Sequence, residues 1–209
     1  MNRWIHMLFV GLGIGFVLAI VGFPTQKANE LGPRQGFTLL DPELLSSAAY
    51  PFGMKEMDGE QIRLGDLKGQ YVVLNFWATW CEPCLQELPH LARLANHLKG
   101  RPVKLLLVSE DEDFKAIAAF IKEIEKGSSV VQAPEKWQET GRMLEGKFKN
   151  VSILLDEGQR VSKRYGSFKF PETYLIDPEG MLRVKFTGPK LWGQRYALEF
   201  LDGLIAINK

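Results

Sequence analysis

The chain has only two cysteines, Cys81 and Cys84, and their spacing is the feature most capable of chemistry. They lie in the sequence Thr-Trp-Cys-Glu-Pro-Cys, after a β-branched and aromatic run at 71–77 and before a stretch of helical periodicity. Cys81 therefore falls at a predicted strand–helix junction, where free backbone N–H groups and the helix dipole favour a thiolate. Such a pair can attack a disulfide, form a mixed disulfide and resolve it.

Other uses of a Cys-x-x-Cys pair fit this sequence less well. Haem attachment needs a histidine directly after the second cysteine, and Leu85 stands there. Zinc needs two more ligands, and His90 and His97 follow on the same predicted helix, where they could not easily complete a tetrahedron. We therefore predict no metal site. A purely structural disulfide stays open as an alternative, although closing so short a loop gains little entropy.

The elements around the cysteines alternate in a way that predicts an α/β fold. Two predicted helices, 82–98 and 112–126, separate apolar strands, and a strand pair joined by the turn 177–180 precedes a closing helix. The predicted strands lie at 61–64, 71–77, 103–108, 151–155, 172–176 and 182–186. This order predicts a central mixed β-sheet flanked by helices.

The N-terminal part of the chain differs in composition from the rest. Residues 4–23 carry no formal charge at pH 7 and, at about 1.5 Å per residue, are long enough to cross a bilayer. We interpret residues 1–24 as an uncleaved signal anchor, with a cleaved signal peptide that leaves a soluble periplasmic protein as the alternative. Residues 25–51 are predicted to be a tether, with a short strand at 37–40 and a helical turn or two within 41–50.

The remaining 52–209 are predicted to form one catalytic domain. Its segment 128–150 is longer than such a connection needs, and residues 134–148 have the pattern of an extra helix with Trp137, Leu144 and Phe148 on one stripe. This possible insertion is read either as a packing elaboration or as a docking surface for a partner. The formal charge of the chain is +1, which gives no field for a polyanion, and no nucleic-acid partner is expected.

Three motifs together resemble one known family. The segment 73–84 (VLNFWATWCEPC), the preceding 66–69 (DLKG) and the later 170–180 (FPETYLIDPEG) are similar to the membrane-anchored TlpA/ResA-like thiol-disulfide oxidoreductases of bacterial envelopes. These belong to the thioredoxin superfamily, so the resemblance implies a thioredoxin-like fold and a catalytic domain on the extracytoplasmic side of the cytoplasmic membrane. It covers about residues 52–207 and implies no cofactor.

The resemblance also implies roles for individual residues. Cys81 would be the exposed nucleophile, Cys84 the buried resolving thiol, and Pro171 a cis-proline facing the disulfide rather than a plain edge-strand proline. Glu87 stands three residues after the second cysteine and so shares a helix face with Cys84. A desolvated carboxylate there would have a raised pKa and could shuttle the thiol proton, whereas the alternative is an exposed helix glutamate.

Four further residues are predicted to contact substrate: Trp80, Glu82, Pro83 and Phe170. The expected partners are a disulfide-containing extracytoplasmic protein, for example apocytochrome c during cytochrome c maturation, and a membrane electron donor of the thiol-disulfide type. We expect the protein to be a monomer. We also expect it to act as a reductant, because Glu82 and Glu87 disfavour negative charge on the cysteines. The competing hypothesis is a redox-linked binding or sensing module without turnover. A peroxidase is not supported, since no Thr-x-x-Cys sequence is present.

Overall fold

An eight-stranded mixed sheet lies at the centre of the computed structural model, which describes residues 38–126 and 134–207. Its strands are β1 (Glu43–Ala48), β2 (Gly53–Glu56), β3 (Gln61–Arg63), β4 (Tyr71–Trp77), β5 (Val103–Ser109), β6 (Val151–Leu155), β7 (Glu172–Ile176) and β8 (Met181–Thr187). They are ordered β1-β8-β7-β4-β5-β6-β2-β3 across the sheet. Strands β4, β5 and β6 run parallel, and the other neighbouring pairs are antiparallel.

Five helices connect or cover these strands within the described residues. They are α1 (Glu82–His97), α2 (Phe114–Lys126), α3 (Pro134–Leu144), α4 (Arg160–Arg164) and α5 (Arg195–Ile207), and a 3-10 turn spans Leu64–Leu67. Helix α1 begins directly after β4 because Cys81 is its N-cap residue and Pro83 occupies its first turn, where no donor N–H is needed. None of the described helices is long and apolar enough to span a membrane.

Strand β4 is buried along its whole length and divides the core into two clusters. Its residues alternate between the two faces, as the twofold period of a strand requires. Trp77 and its neighbours on one face pack against α1, α2, α3 and α5, whereas Phe76 and its neighbours on the other face pack against β2, α4 and Tyr165. Because β4 is central and covered on both faces, the loop at its end is held firmly in place.

Most predicted elements are found, but the lead-in is different. Residues Glu43–Ala48, expected to be a helical turn or two, form β1 and pair antiparallel with β8. That prediction was wrong because the open hydrogen-bonding edge of β8 decides the conformation of a weakly patterned segment. The structure has helical backbone at 38–40, where a strand was predicted. Strand β2 was not predicted at all.

The possible insertion contains the expected extra helix. Helix α3 packs against α1 and α2, and Trp137, Met143, Leu144 and Phe148 are buried in the larger core cluster. The described part of this segment is therefore integrated into the core. The predicted signal anchor at 1–24 and the first part of the tether, 25–37, lie outside the described residues.

Candidate active site

The two cysteines are joined at the end of β4. Their sulfur atoms are 2.04 Å apart and their Cα atoms 5.2 Å apart, so the structure holds the pair as a disulfide. The backbone N–H of Cys84 also donates to the Cys81 sulfur at 3.3 Å, which makes the Cys81 side chain the cap of α1. A sulfur that accepts an N–H at a helix N-terminus is placed where a thiolate is stabilised.

The two cysteine residues differ less in solvent exposure than the sequence predicted. Cys81 is 7% exposed and Cys84 is 1% exposed, so Cys81 is the more accessible residue but is not openly exposed. The expectation of an exposed nucleophile was therefore too strong for the disulfide form. The Cys81 side chain turns inward to bond Cys84 and its N–H, and both residues belong to the larger core cluster.

The predicted surface around the cysteines is partly assembled. Trp80 is 63% exposed, and its ring contacts that of Phe170 edge-on, with centroids 6.2 Å apart. The Phe170–Pro171 peptide bond is cis, as the resemblance implied for Pro171. Because β7 starts directly after Pro171 and pairs with β4, this cis-proline loop lies beside Trp80. Glu82 and Pro83 are exposed in the first turn of α1.

Glu87 is buried in α1, three residues after Cys84, and its carboxylate accepts from three N–H donors. Its Oε1 accepts from the Trp192 indole at 2.6 Å and from the Lys190 backbone at 2.9 Å, and its Oε2 accepts from Asn75 Nδ2 at 3.1 Å. Trp192 is itself fixed edge-on against Phe186, with ring centroids 5.0 Å apart. Within the described residues, no hydrogen bond joins the Glu87 carboxyl directly to the sulfur of Cys81 or Cys84.

The surroundings of Glu87 bring the pKa of its carboxyl close to neutral pH. Burial raises its pKa from 4.5 to about 7, and the N–H donors of Lys190, Trp192 and Asn75 oppose that rise. Asn75 also donates to Thr173 Oγ1 at 2.9 Å, while its own Oδ1 has no partner in the described structure. The alternative of a solvent-exposed helix glutamate is thus not what the structure shows.

Sequence reasoning missed a second set of acids at this edge of the sheet. Asp111 accepts hydrogen bonds from Thr79, in the loop before Cys81, and Asp156 accepts from the first N–H groups of α4. Glu110 lies between them and accepts from Ser162 Oγ at 3.0 Å. Their position after the parallel strands β5 and β6 is the signal that could have indicated them. Among the described residues no group of three His, Cys, Asp or Glu side chains could hold a metal ion.

Comparison with known proteins places this site in a family. A family model described as the AhpC/TSA family matches residues 45–185. The chain belongs to this family. The thiol-disulfide oxidoreductase ResA of Bacillus subtilis is 32% identical over 142 residues, which cover 68% of this chain and 66% of that protein. The ResA of Bacillus cereus is 27% identical over 186 residues, 89% of this chain and 86% of that protein.

A solved structure supports the fold independently. The crystal structure of StoA from Bacillus subtilis has a TM-score of 0.52 and 24% identity, and the match covers 73% of this chain and 98% of that one. With the ResA relatives, this likeness makes the chain a ResA-like protein of the thioredoxin superfamily. It is an enzyme of the thiol-disulfide oxidoreductase class.

Proposed function

We propose that this enzyme reduces disulfides in extracytoplasmic proteins, with Cys81 as the attacking thiol and Cys84 as the resolving thiol. The observation that carries the proposal is the placement of Cys81. It caps α1, accepts an N–H at its sulfur, and is the more accessible of the two cysteines. Those three properties are the ones a nucleophilic thiolate needs.

The exchange proceeds in two balanced steps from the reduced enzyme. The Cys81 thiolate attacks one sulfur of the substrate disulfide, forms a mixed disulfide and releases the other substrate sulfur as a thiolate. The Cys84 thiolate then attacks the Cys81 sulfur, closes the enzyme disulfide and releases the second substrate thiolate. The enzyme loses two electrons, and the two protons of its thiols end on the two thiols of the substrate.

Glu87 is proposed to handle the proton of the resolving step. Cys84 is almost fully buried, so its thiol needs a nearby base before it can attack. Glu87 lies one helical turn further along α1 and, with a pKa of about 7, is divided between its two protonation states near neutrality. A group with that pKa can take up a proton in one half of the cycle and return it in the other.

The surface beside Cys81 suits a polypeptide substrate. The exposed Trp80 ring and its contact with Phe170 offer apolar area next to the sulfur, and Glu82 and Pro83 are open to solvent. A protein segment that carries a disulfide can lay its side chains on this area. Apocytochrome c, whose Cys-x-x-Cys-His cysteines must be reduced before haem attachment, is the substrate that the resemblance suggests.

Two features together support an extracytoplasmic site for the reaction. The uncharged run at 4–23 can hold the chain in the membrane, and a disulfide pair of this kind suits an oxidising compartment. In that location the enzyme needs a membrane electron donor of the thiol-disulfide type to regenerate its thiols. Its disulfide form is the species that such a donor would reduce.

Turnover and trapping test the proposal. The full-length chain, supplied with dithiothreitol, is expected to reduce insulin disulfides catalytically, whereas Cys81→Ser abolishes the reaction. Cys84→Ala is expected to accumulate mixed disulfides on Cys81, and in cells these should contain extracytoplasmic proteins. Limiting iodoacetamide should label Cys81 before Cys84 in the reduced enzyme. Binding of partners without any turnover would instead support the sensing module, and preferential label on Cys84 would reverse the assigned roles.

A further inference from the structure

We propose that Asp111 is a positioning residue for the redox loop, defined as residues 78–81 between β4 and α1. Through its hydrogen bonds to Thr79, it shifts the equilibrium of the cysteine pair toward the disulfide. The inference rests on thiol exchange at Cys81 and Cys84, which is part of the proposed function. It assigns a new role to a residue on a neighbouring strand end, outside the Cys-x-x-Cys motif.

Both oxygens of the Asp111 carboxylate accept hydrogen bonds from the redox loop. Its Oδ1 accepts from the Thr79 hydroxyl at 2.7 Å, and its Oδ2 accepts from the Thr79 backbone N–H at 3.1 Å. The same Oδ2 accepts from Ser109 Oγ at 2.7 Å, and Ser109 Oγ in turn accepts the Asp111 N–H at 3.0 Å. Asp111 is only 5% exposed, so water competes little for these bonds.

The sheet register brings this carboxylate to the loop. Strands β4 and β5 are parallel, and Trp77 at the end of β4 is paired with Ser109 at the end of β5. The next residue after β5, Glu110, donates its backbone N–H to the Trp77 carbonyl at 2.8 Å. The Glu110 backbone therefore holds the end of β4, and the Asp111 carboxylate holds the loop that follows it. Thr79 in that loop is two residues from Cys81.

The hydrogen bonds between Thr79 and Asp111 matter most when the disulfide is reduced. Reduction breaks the bond between the Cys81 and Cys84 sulfurs, while the two hydrogen bonds from Thr79 to Asp111 can persist. A loop that is held in place keeps the Cys81 sulfur close to Cys84 and lowers the entropic cost of closing the disulfide. A buried carboxylate near the loop also disfavours a Cys81 thiolate, which destabilises the reduced enzyme. Both effects favour the disulfide.

Four variants of the full-length chain separate this role from general effects. Thr79→Val removes the hydroxyl donor at nearly constant volume, and Thr79→Ser keeps it. Asp111→Asn removes the charge but keeps an acceptor for the Thr79 N–H. Glu112→Gln makes the matched charge change at the exposed neighbouring residue. Each is equilibrated in glutathione buffers, where two glutathione molecules reduce the enzyme disulfide and become one oxidised glutathione.

The expected result is a shift confined to two variants. Thr79→Val and Asp111→Asn should raise the equilibrium constant for reduction about tenfold, a change in potential of about 30 mV in the oxidising direction. Asp111→Asn should also lower the pKa of the Cys81 thiol, and both variants should slow the closure of Cys81 with Cys84. Thr79→Ser and Glu112→Gln should keep the wild-type constant.

Two results would overturn the inference. One is a wild-type constant for Thr79→Val, which decides the matter even if Asp111→Asn does not fold. The other is an equal shift in Glu112→Gln, which would show a general charge effect. Thermal unfolding of the oxidised variants reports separately whether the fold is kept. If the wild-type pair does not exchange with glutathione at all, the proposed function fails, which is a different outcome from equal constants.

Discussion

Two buried carboxyl groups, those of Glu87 and Glu110, have raised pKa values for related but separable reasons. Burial is the main cause for both, and it raises the pKa of Glu87 to about 7 and that of Glu110 to about 8. N–H donors oppose the rise in the pKa of Glu87. The nearby charge of Asp156 instead raises the pKa of Glu110 further. We propose the first group for proton transfer, and we expect the second to contribute to the pH dependence of stability.

Glu87→Gln is expected to change how thiol reactivity depends on pH. The neutral amide removes a group that titrates near pH 7 and removes a negative charge that opposes thiolate formation, so the thiol pKa values should fall. Asn75 can rotate its amide and offer Oδ1, which has no partner in the described structure, so the fold should tolerate the change.

Alkylation rates of each cysteine, measured by mass spectrometry between pH 5 and 9, check this prediction. Glu125→Gln makes the same chemical change on the exposed face of α2 and should leave the profile unchanged. An unaltered profile for Glu87→Gln would reduce Glu87 to a structural role in the packing of α1.

Glu110 should make the folded enzyme less stable as pH rises. Its folded pKa of about 8 lies above the unfolded value near 4.5, so between these values the folded state holds more protons than the unfolded state. The free energy of unfolding then falls by about 1.4 kcal/mol per pH unit for such a group. Glu87 adds a similar contribution up to its own pKa of about 7.

Urea unfolding from pH 5 to 9 tests this contribution. Glu110→Gln should flatten the fall in the free energy of unfolding, most visibly between pH 7 and 8, where Glu87 contributes least. Glu112→Gln, at an exposed position, should retain the wild-type slope. Parallel curves for the wild type and Glu110→Gln would contradict the assignment.

Among the strands and helices, the sequence predicted best those that are determined by local residue patterns. Strand β4 and helix α1 carry strong periodic signals, and the cysteine motif marks their junction. Strand β1 was missed because its pairing with β8 joins segments far apart in the chain. The site divides in the same way: the position of Glu87 relative to Cys84 follows from helix geometry, but its contact with Trp192 depends on tertiary packing.

Helix α3 is predicted to stabilise the domain without affecting the cysteines. The rings of Trp77, Phe120 and Trp137 form a continuous contact, with centroids 6.4 and 6.1 Å apart along the series. Trp137→Ala should cost about 3–5 kcal/mol of unfolding free energy, because it leaves a cavity in the core. Thiol alkylation of the folded variant should stay at the wild-type rate.

Denaturant unfolding and alkylation of the same samples check both parts. Gln138→Ala changes an exposed residue of the same helix and should alter neither quantity. A small loss of stability in Trp137→Ala together with the loss of a partner interaction would favour the docking alternative for this segment.

The proposed full-length protein is an extracytoplasmic enzyme that a membrane segment at 4–23 anchors. We propose that residues 4–23 hold the described domain on the outer side of the cytoplasmic membrane, so protease added to spheroplasts should digest it. Immunoblotting for a fragment after digestion reports the result, and a cytoplasmic protein serves as the protected control. A domain that survives the protease in intact spheroplasts would contradict this location.

The reduction potential of the full-length enzyme distinguishes a reductant from an oxidant. A reductant must hold its disulfide form more stably than a strong oxidant does, and we propose that Glu82, Glu87 and Asp111 favour that form. Equilibration with glutathione or dithiothreitol buffers is predicted to give a potential between about −270 and −180 mV, the interval from thioredoxin to protein disulfide isomerase. A value near −120 mV, which is typical of a strong oxidant, would contradict the assignment.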